Sequence, residues 1–332
     1  MSNLRRTAGW ALVVSSLLIH VLTVWSYARQ PDSLAAFTVF PIWIWGGLGL
    51  VLSVIAFSFL RAPLSLVVTA VWAVTLSVAM DEAKALSNFT HPPIELERQE
   101  TEGNNRLIRV ATVNCADFSH GNPLDDLKMW NPDIVLLQQV LPHRVKEMAE
   151  LLYGGRGDFR AHMTNGVITR FEIRREVRNP KTRNQQVTLR LPGGSEIEVL
   201  NIHLTTAATD LRLWNSESRA AHRNNRDLRK NELSVVLQIL EQTSSFPATP
   251  TILGGDFNAG ANDIVHRQLI RDFEDVYSAV GRGWGNTFHR RFPILRIDQI
   301  YANRQFQPLS SGVIVSKKTD HRIVLADVAI ED

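Results

Sequence analysis

The spacing of apolar and polar residues changes abruptly near residue 81. Before it, three long segments carry no charged residue: 7–27 has 21 residues, 34–60 has 27 and 62–80 has 19. A helix needs about 20 apolar residues to cross the hydrocarbon core of a bilayer, so each segment predicts a membrane-spanning helix. Trp10, Trp25, Tyr27, Trp43, Trp45 and Trp72 supply aromatic rings, several near the predicted membrane–water boundaries where amphipathic rings settle. His20 falls inside the first segment, where helix packing explains it better than chemistry does.

Residues 82–105 are polar, with Pro92, Pro93 and a Glu-rich run, and show no periodicity. They predict a linker between a membrane anchor (1–81) and a soluble domain (106–332). Within that domain, strand-like and helix-like stretches alternate. Residues 107–113 and 133–137 read as buried strands separated by a helix over 123–130, and a helix over 142–153 opens at Pro142 and ends at Gly154-Gly155. Residues 167–173, 186–191 and 197–203 read as strands, with Pro192-Gly193-Gly194 as a hairpin turn. A helix is predicted over 211–240, a strand over 251–253, and short alternating strands after that. The pattern is that of an α/β fold.

Charge adds a topology. In the first 81 residues the only charged side chains are Arg5, Arg6, Arg29, Asp32, Arg61 and Asp81. Arg5 and Arg6 hold the N-terminus in the cytoplasm, and Arg61 marks the turn between the second and third spans as cytoplasmic too. Three crossings, or two if the first segment were removed as a signal peptide, leave everything after Asp81 outside the cytoplasm. That remainder has 32 basic and 31 acidic residues once four Arg and two Asp are subtracted from the totals of 36 and 33. A net charge of about +1 is weak for a dedicated duplex-DNA binder. The basic stretch 219–230 reads as a solvated helix face. Cys115 is the only cysteine, so no intramolecular disulfide forms, and its place at the end of an apolar strand predicts a buried, inert thiol.

Four strings in the soluble part end an apolar run in carboxylate, amide or imidazole: Leu200-Asn201-Ile202-His203-Leu204, Gly254-Gly255-Asp256-Phe257-Asn258, Arg296-Ile297-Asp298-Gln299-Ile300 and Thr319-Asp320-His321. Strand ends hold side chains more firmly than loops do. Asp and Asn offer hard oxygens suited to a divalent cation, and His can orient or protonate a phosphate oxygen. Each string has a plain structural reading as well. Asp and Asn after Gly-Gly make good turns, Asn114 could cap a helix, and Asp298 could pair with Arg296.

Read together with Arg109–Asn114 and Asp133–Val140, the four strings resemble the endonuclease/exonuclease/phosphatase superfamily, over roughly 106–332. The resemblance implies a two-sheet α/β sandwich like that of deoxyribonuclease I, here preceded by three transmembrane helices, and hydrolysis of phosphoesters with Mg²⁺ or Mn²⁺. By similarity, Asn114, Gln139 and Asp320 would surround the metal. Asp256 would orient or deprotonate the attacking water, Asn258 would hold the scissile phosphate or a second metal, His203 and His321 would contact phosphoryl oxygens, and Asp298 would orient His321. The chain departs from the family pattern at Gln139, where the family carries Glu. Gln keeps a carbonyl oxygen but loses a full negative charge. Strand alternation would turn its neighbour Gln138 to the opposite face. Trp284-Gly285-Asn286-Thr287-Phe288 resembles a family loop near the substrate, and reads equally well as a Gly-rich turn with an aromatic plug.

Three spans before such a domain also resemble bacterial membrane phosphatases associated with glycopeptide resistance. The expectation is therefore a membrane-anchored, metal-dependent phosphoesterase of the cell membrane, acting outside the cytoplasm on a phosphate ester, with a lipid-linked one among the candidates. Two alternatives stay open: an extracytoplasmic nuclease, and a phosphate- or lipid-binding module impaired by Gln139.

Overall fold

The computed structural model describes residues 3–88, 90–95 and 107–330. Residues 89 and 96–105 of the predicted linker lie outside them. The chain divides into two compact units, one of Met1–Lys84 with Ala208–Arg226 and Asn262–Ile264, the other of Ala85–Ala207, Asp227–Ala261 and Val265–Asp332.

The first unit holds α1 (Asn3–Arg29), α2 (Ala35–Thr38), α3 (Ile42–Leu60), α4 (Pro63–Ala79) and the start of α5 (Asp81–Ser87). The predicted span over 34–60 is not one helix. Pro41 is extended (φ −62°, ψ 144°), and the steric demand of proline on the residue before it ends the helix there, so within this segment α3 is the candidate span. Helices α1 and α3 are long and apolar enough to cross a membrane. Helix α4 qualifies only when joined to α5 across an 80° bend, which makes the candidate spans two or three. Residues 82–87, expected to begin the linker, are helical as part of α5.

Small residues let these helices close. A Cβ on Gly49 would sit 2.1 Å from the Trp72 ring and one on Gly46 would sit 2.4 Å from Leu76, so glycine is what admits both side chains. The Trp72 indole N–H donates to Ser16 Oγ at 3.1 Å, Ser16 Oγ donates to the Gly49 carbonyl at 2.8 Å, and Ser53 and Thr69 hydroxyls meet at 2.8 Å. His20 Nε2 lies 2.9 Å from Thr75 Oγ1, and its ring meets Trp72 edge-on, a packing role as expected.

The second unit is a two-sheet α/β sandwich. Its elements are β1 (Leu107–Asn114), α6 (Leu124–Trp130), β2 (Ile134–Gln138), α7 (Pro142–Tyr153), β3 (Asp158–His162), β4 (Asn165–Thr169), β5 (Glu172–Arg178), β6 (Gln185–Arg190) and β7 (Glu196–His203). After them come α8 (Ser216–Thr243), whose turns up to Arg226 belong to the first unit, β8 (Thr251–Asp256), β9 (Phe273–Asp275), α9 (Val276–Val280), β10 (Asp298–Asn303), β11 (Phe306–Ile314) and β12 (Ile323–Ile330). One sheet has the order β11-β12-β1-β2-β4-β3 and the other β5-β6-β7-β8-β10-β9. β1 runs parallel to β2, and β7 parallel to β8.

Alternation along the strands decides the layers. Ile108, Val110, Ile134 and Leu136 face the space between the sheets and pack with Val187, Val199, Ile252 and Ile300. Ala111, Val113, Val135 and Leu137 face the other way, toward Leu127 of α6 and Val145 and Met148 of α7. Leu233, Val236 and Leu240 of α8 cover Leu200, Ile202 and Leu253. Burying each such aliphatic side chain contributes roughly 1.5–3 kcal/mol against leaving it in water.

Two predicted elements differ. The strand expected over 167–173 is two strands in different sheets, because the Thr169 hydroxyl accepts the Phe171 N–H at 3.1 Å and turns the chain out of β4. The helix expected from 211 begins at Ser216, where the Asn215 side chain accepts the Glu217 N–H at 2.8 Å and caps the first turn. The stretch 219–230 is not a uniformly solvated face: Arg226 and Arg229 are buried.

Candidate active site

Register brings the polar strand ends together. Asn114 of β1 lies beside Gln138 of β2, His203 of β7 beside Asp256 of β8, and Asp298 of β10 beside Asp256 on its other side. The close approach at β8 needs glycine. Gly255 has φ +143°, and a Cβ there would lie 1.9 Å from the Ile202 carbonyl oxygen.

Asp256 is the centre of the cluster. Its Oδ2 accepts the Asn114 side-chain amide at 2.9 Å, across the two sheets, and its Oδ1 accepts the Asn258 backbone N–H at 2.8 Å. The Asn258 side chain donates to the Leu204 carbonyl at 3.0 Å, and Asn114 Oδ1 accepts the Ala116 N–H at 3.0 Å. The turn geometry expected from a purely structural reading is thus present at Asn114 and Asp256, though Asn114 does not cap the short helix that follows it, and these turns also hold the side chains of the cluster in place. Asp298 Oδ2 meets His321 Nδ1 at 2.8 Å. Arg296 pairs instead with Asp275 at 2.6 Å, so Asp298 is not its ion-pair partner. Donor atoms of Asp256, Asp298 and His321 all lie within 4.8 Å of one another, and all three residues are buried.

The loop 284–288 reaches this cluster. The Thr287 hydroxyl accepts the backbone N–H groups of Ile297 and Asp298, each at 3.2 Å, and the Phe288 ring lies 5.0 Å from that of His321. Thr319 donates its hydroxyl to the Asn114 carbonyl at 2.6 Å and accepts the His321 N–H at 3.2 Å, which fixes the segment carrying Asp320.

Three residues near His203 had no sequence signal. Asn184 Oδ1 accepts the His203 backbone N–H at 2.8 Å, Asn165 Oδ1 lies 3.3 Å from His203 Nδ1, and Arg183 Nη1 approaches His203 Nε2 within 3.5 Å. They come from the start of β4 and the loop before β6, neither of which ends in a recognisable polar string.

The two histidines are driven in opposite directions. Burial pushes His203 down to about 4, helped by the Arg183 and His321 charges against the pull of Asp256. Burial also opposes charge on His321, but the Asp298 carboxylate, by charge and hydrogen bond, with Asp256 and Asp320 adding to it, raises it to about 9. Asp256 is raised by its burial and by the Asp298 charge, against the histidines and the Asn114 hydrogen bond. Near neutral pH the cluster therefore contains one neutral and one charged imidazole.

The fit to a divalent cation rests on unpaired oxygens. Asp298 Oδ1 and Asp320 Oδ1 are buried without a donor among the described residues, and the Gln139 side chain makes no hydrogen bond with a described residue. Free hard oxygens of this kind suit Mg²⁺ or Mn²⁺. Asp256, Asp298 and His321 form the tightest group. The Asp298–His321 hydrogen bond and the raised pKa of His321 suit an acid–base set, and the same buried carboxylates and imidazole also offer ligand atoms to a cation.

The strand-parity expectation at Gln138 is overturned. Gln138 shares a face with Asn114, but its amide is taken up by Asn201 Oδ1 at 2.7 Å and by Thr112 Oγ1 at 3.1 Å. Gln139 has left the strand with φ +50°, so the backbone turn, not strand alternation, sets its direction.

The fold and this cluster define a phosphoesterase-type α/β sandwich. The chain matches the Endonuclease/Exonuclease/phosphatase family over residues 115–321, and belongs to that family. No curated protein matches it. Among solved structures, it is similar to an endonuclease/exonuclease/phosphatase from Bacteroides vulgatus, with 18% identity, TM-score 0.52, and coverage of 68% of this chain and 99% of that one. It is also similar to a mannosyl-6-phosphatase of Bacteroides thetaiotaomicron, with 15% identity, TM-score 0.53, and coverage of 67% and 100%. D. rerio TDP2 complexed with single-strand DNA product aligns with 16% identity, TM-score 0.51, and coverage of 67% and 98%. At these identities the likeness is one of fold.

Proposed function

We propose that this chain is a membrane-anchored, metal-dependent phosphoesterase whose soluble domain works outside the cytoplasm on a phosphomonoester, diester or pyrophosphate, preferably a lipid-linked one. The observation that carries the reaction class is the buried chain Asn114–Asp256 and Asp298–His321, with its opposed histidines. Asp256, which accepts two hydrogen bonds and has a raised pKa, orients the attacking water and takes its proton. Charged His321, held by Asp298, and Asn258 contact the phosphoryl oxygens as charge develops there. Neutral His203 takes a second phosphoryl contact, and Arg183 beside it adds a positive charge where an anionic substrate would sit.

Asp320, Gln139 and Asn114 would hold the cation, which when bound offsets charge on the phosphoryl group. With Gln at position 139, this set binds Mg²⁺ more weakly than one with a second carboxylate would.

The anchor favours a lipid-linked substrate, because tethering raises the effective concentration of site and headgroup at the same surface. The fold itself accommodates other substrates, since one neighbour's name describes a sugar phosphatase and another's structure holds single-strand DNA. The test is the full chain in detergent or nanodiscs with Mg²⁺ or Mn²⁺, assayed on plasmid DNA, a generic bis-ester and a polyprenyl diphosphate. The expected result is hydrolysis of the lipid diphosphate, lost in Asp256→Ala. Inactivity on every substrate, unrelieved by Gln139→Glu, would leave only a binding module, and DNA nicking lost in Asp256→Ala would make it a nuclease. A reporter fused after Asp332 and active only in the cytoplasm would refute the outward orientation.

A further inference from the structure

The unit containing the apolar helices also contains Ala208–Arg226, a soluble-looking segment that follows the His203 strand by a few residues. Its tip is folded, not loose. The Asp210 carbonyl accepts from Ser218 Oγ at 2.8 Å and lies 2.9 Å from His222 Nε2, Arg219 Nη1 donates to the Leu213 carbonyl at 2.9 Å, and the Asn215 N–H donates to the Arg212 carbonyl at 2.9 Å. This doubles the tip back onto the first turns of α8.

Within the same unit, that stretch of α8 is tied to the connection between α1 and α3. Arg226, almost fully buried, donates from Nη2 to Thr38 Oγ1 at 2.5 Å and lies 3.4 Å from Asp263 Oδ2. Gln30, just past the end of α1, hydrogen-bonds the Asn262 carbonyl through its Nε2 and accepts the Ile264 N–H on its Oε1 at 2.8 Å. Thr38 and Gln30 sit where the apolar helices end, so the Arg226 turn of α8, from whose helix the tip extends, is held beside the ends of those helices.

What the tip presents is apolar. Trp214 is 79% exposed and Leu211 58%, more than most of the lipid-facing side chains of α1 such as Leu22 (43%) and Trp25 (49%). Arg219 and Arg223 are exposed on the following turns of α8, and Arg212 is exposed but paired with Asp210 at 2.8 Å. A hydrogen-bonded turn with an outward Trp and Leu, followed by exposed arginines, has the chemistry of the membrane interface, where indole settles among headgroups and guanidinium meets lipid phosphate.

We propose that the tip formed by Leu211–Trp214 is a membrane-contacting element that inserts Trp214 and Leu211 into the headgroup layer of the bilayer spanned by α1 and α3. The proposal rests on the membrane reading of those helices. It gives the segment following the His203 strand a direct hold on the lipid surface.

The test uses the full chain in nanodiscs of phosphatidylcholine and phosphatidylglycerol, labelled with an environment-sensitive dye at Trp214→Cys or, separately, Leu211→Cys. Cys115 is fully buried with its thiol pushed up by that burial, so the introduced cysteine is the one that reacts. The expected result at both positions is blue-shifted emission, quenched by lipids bearing a nitroxide near the headgroup. Emission like that of the free dye adduct, quenched by a water-soluble nitroxide and not by the lipid one, overturns the proposal. Failure of the chain to enter nanodiscs would refute the membrane reading itself, a separate outcome. A Leu211→Ser/Trp214→Ser chain should show about a tenfold higher KM for a bilayer-embedded phosphate ester, as expected for losing buried apolar area. Its turnover of a soluble bis-ester should be unchanged, and equal loss on both substrates would count against the tip.

Discussion

Asp298 Oδ2 and His321 Nδ1 meet at 2.8 Å, joining the first residue of β10 to the residue two places ahead of β12. The carboxylate fixes which ring nitrogen carries the outward proton and keeps the imidazole charged, with His321 raised to about 9. Asp298→Asn removes that charge and keeps the shape. Turnover should fall about 10³-fold. The alkaline limb of the pH–rate profile, which requires His321 protonated, should move from near pH 9 toward neutrality. The same residue has a stability signature. A raised folded-state pKa contributes stability that is full below about 6.5 and is lost as pH rises through about 9, so Asp298→Asn should flatten the decline of Tm over that window. A basic limb that stays in place would remove His321 from its proposed role.

His203 behaves in the opposite sense. Lowered to about 4, it binds a proton less readily folded than unfolded. Between roughly pH 6.5 and 4 the unfolded chain therefore takes up protons that the folded chain refuses, and stability falls as pH falls through that window. Thermal melts from pH 7 to pH 4 should show the decline, and His203→Gln should reduce it. Arg183→Ala should raise the pKa of His203, narrowing the window, and raise KM about tenfold for an anionic substrate. An unchanged KM would mean that Arg183 faces His203 without meeting the phosphate.

Much of this cluster was legible in the sequence, because each polar string sits at the end of an apolar strand and strand register fixes its neighbours. His203 beside Asp256 follows from one parallel pairing, and Asp298 beside Asp256 from one antiparallel one. Asn165, Arg183 and Asn184 were not legible. Their strands and loops carry no comparable signal: Asn165 reaches His203 from the other sheet, while Arg183 and Asn184 reach it from the loop before β6, the strand paired with β7. Helix composition failed in a different way. The 34–60 stretch has no charge, so hydropathy ran on past Pro41, where backbone sterics break the helix. Arg226 looked like solvated surface because burial of an arginine depends on partners distant in sequence, here Thr38 and Asp263.

Gln139→Glu tests the weak point in the proposed metal site. The neutral amide leaves Asp320 as the only charged group in the proposed ligand set. Restoring a carboxylate should lower the Mg²⁺ concentration for half-maximal activity by about tenfold, the effect of roughly 1.4 kcal/mol in binding. Asp320→Asn should raise it at least as far. A Mg²⁺ titration of the three chains decides the matter. If neither substitution shifts the midpoint, the cation is held elsewhere.

Gly255→Ala tests how tightly the site depends on backbone approach. Gly255 pairs with Ile202 across the parallel β7/β8 ladder, has φ +143°, and has no room for a Cβ, which would lie 1.9 Å from the Ile202 carbonyl oxygen. Both the left-handed conformation and the backbone clash oppose alanine, together about 3 kcal/mol or more. For a domain of this size that is a fall in Tm of roughly 10 °C. Gly260→Ala is the matched control, since nothing lies within 4 Å of its Cβ, and its melt should stay within about 1 °C of the parent. Activity separates the site from the scaffold. Asp256 follows Gly255 directly and is in register with His203, so moving the strands apart displaces the proton acceptor from the phosphate contacts. Gly255→Ala should therefore lose turnover well below its melting temperature, by a factor of about 10² for a shift near 1 Å. Full turnover in a folded Gly255→Ala chain would show that the Asp256 position does not depend on the close approach of β7 and β8.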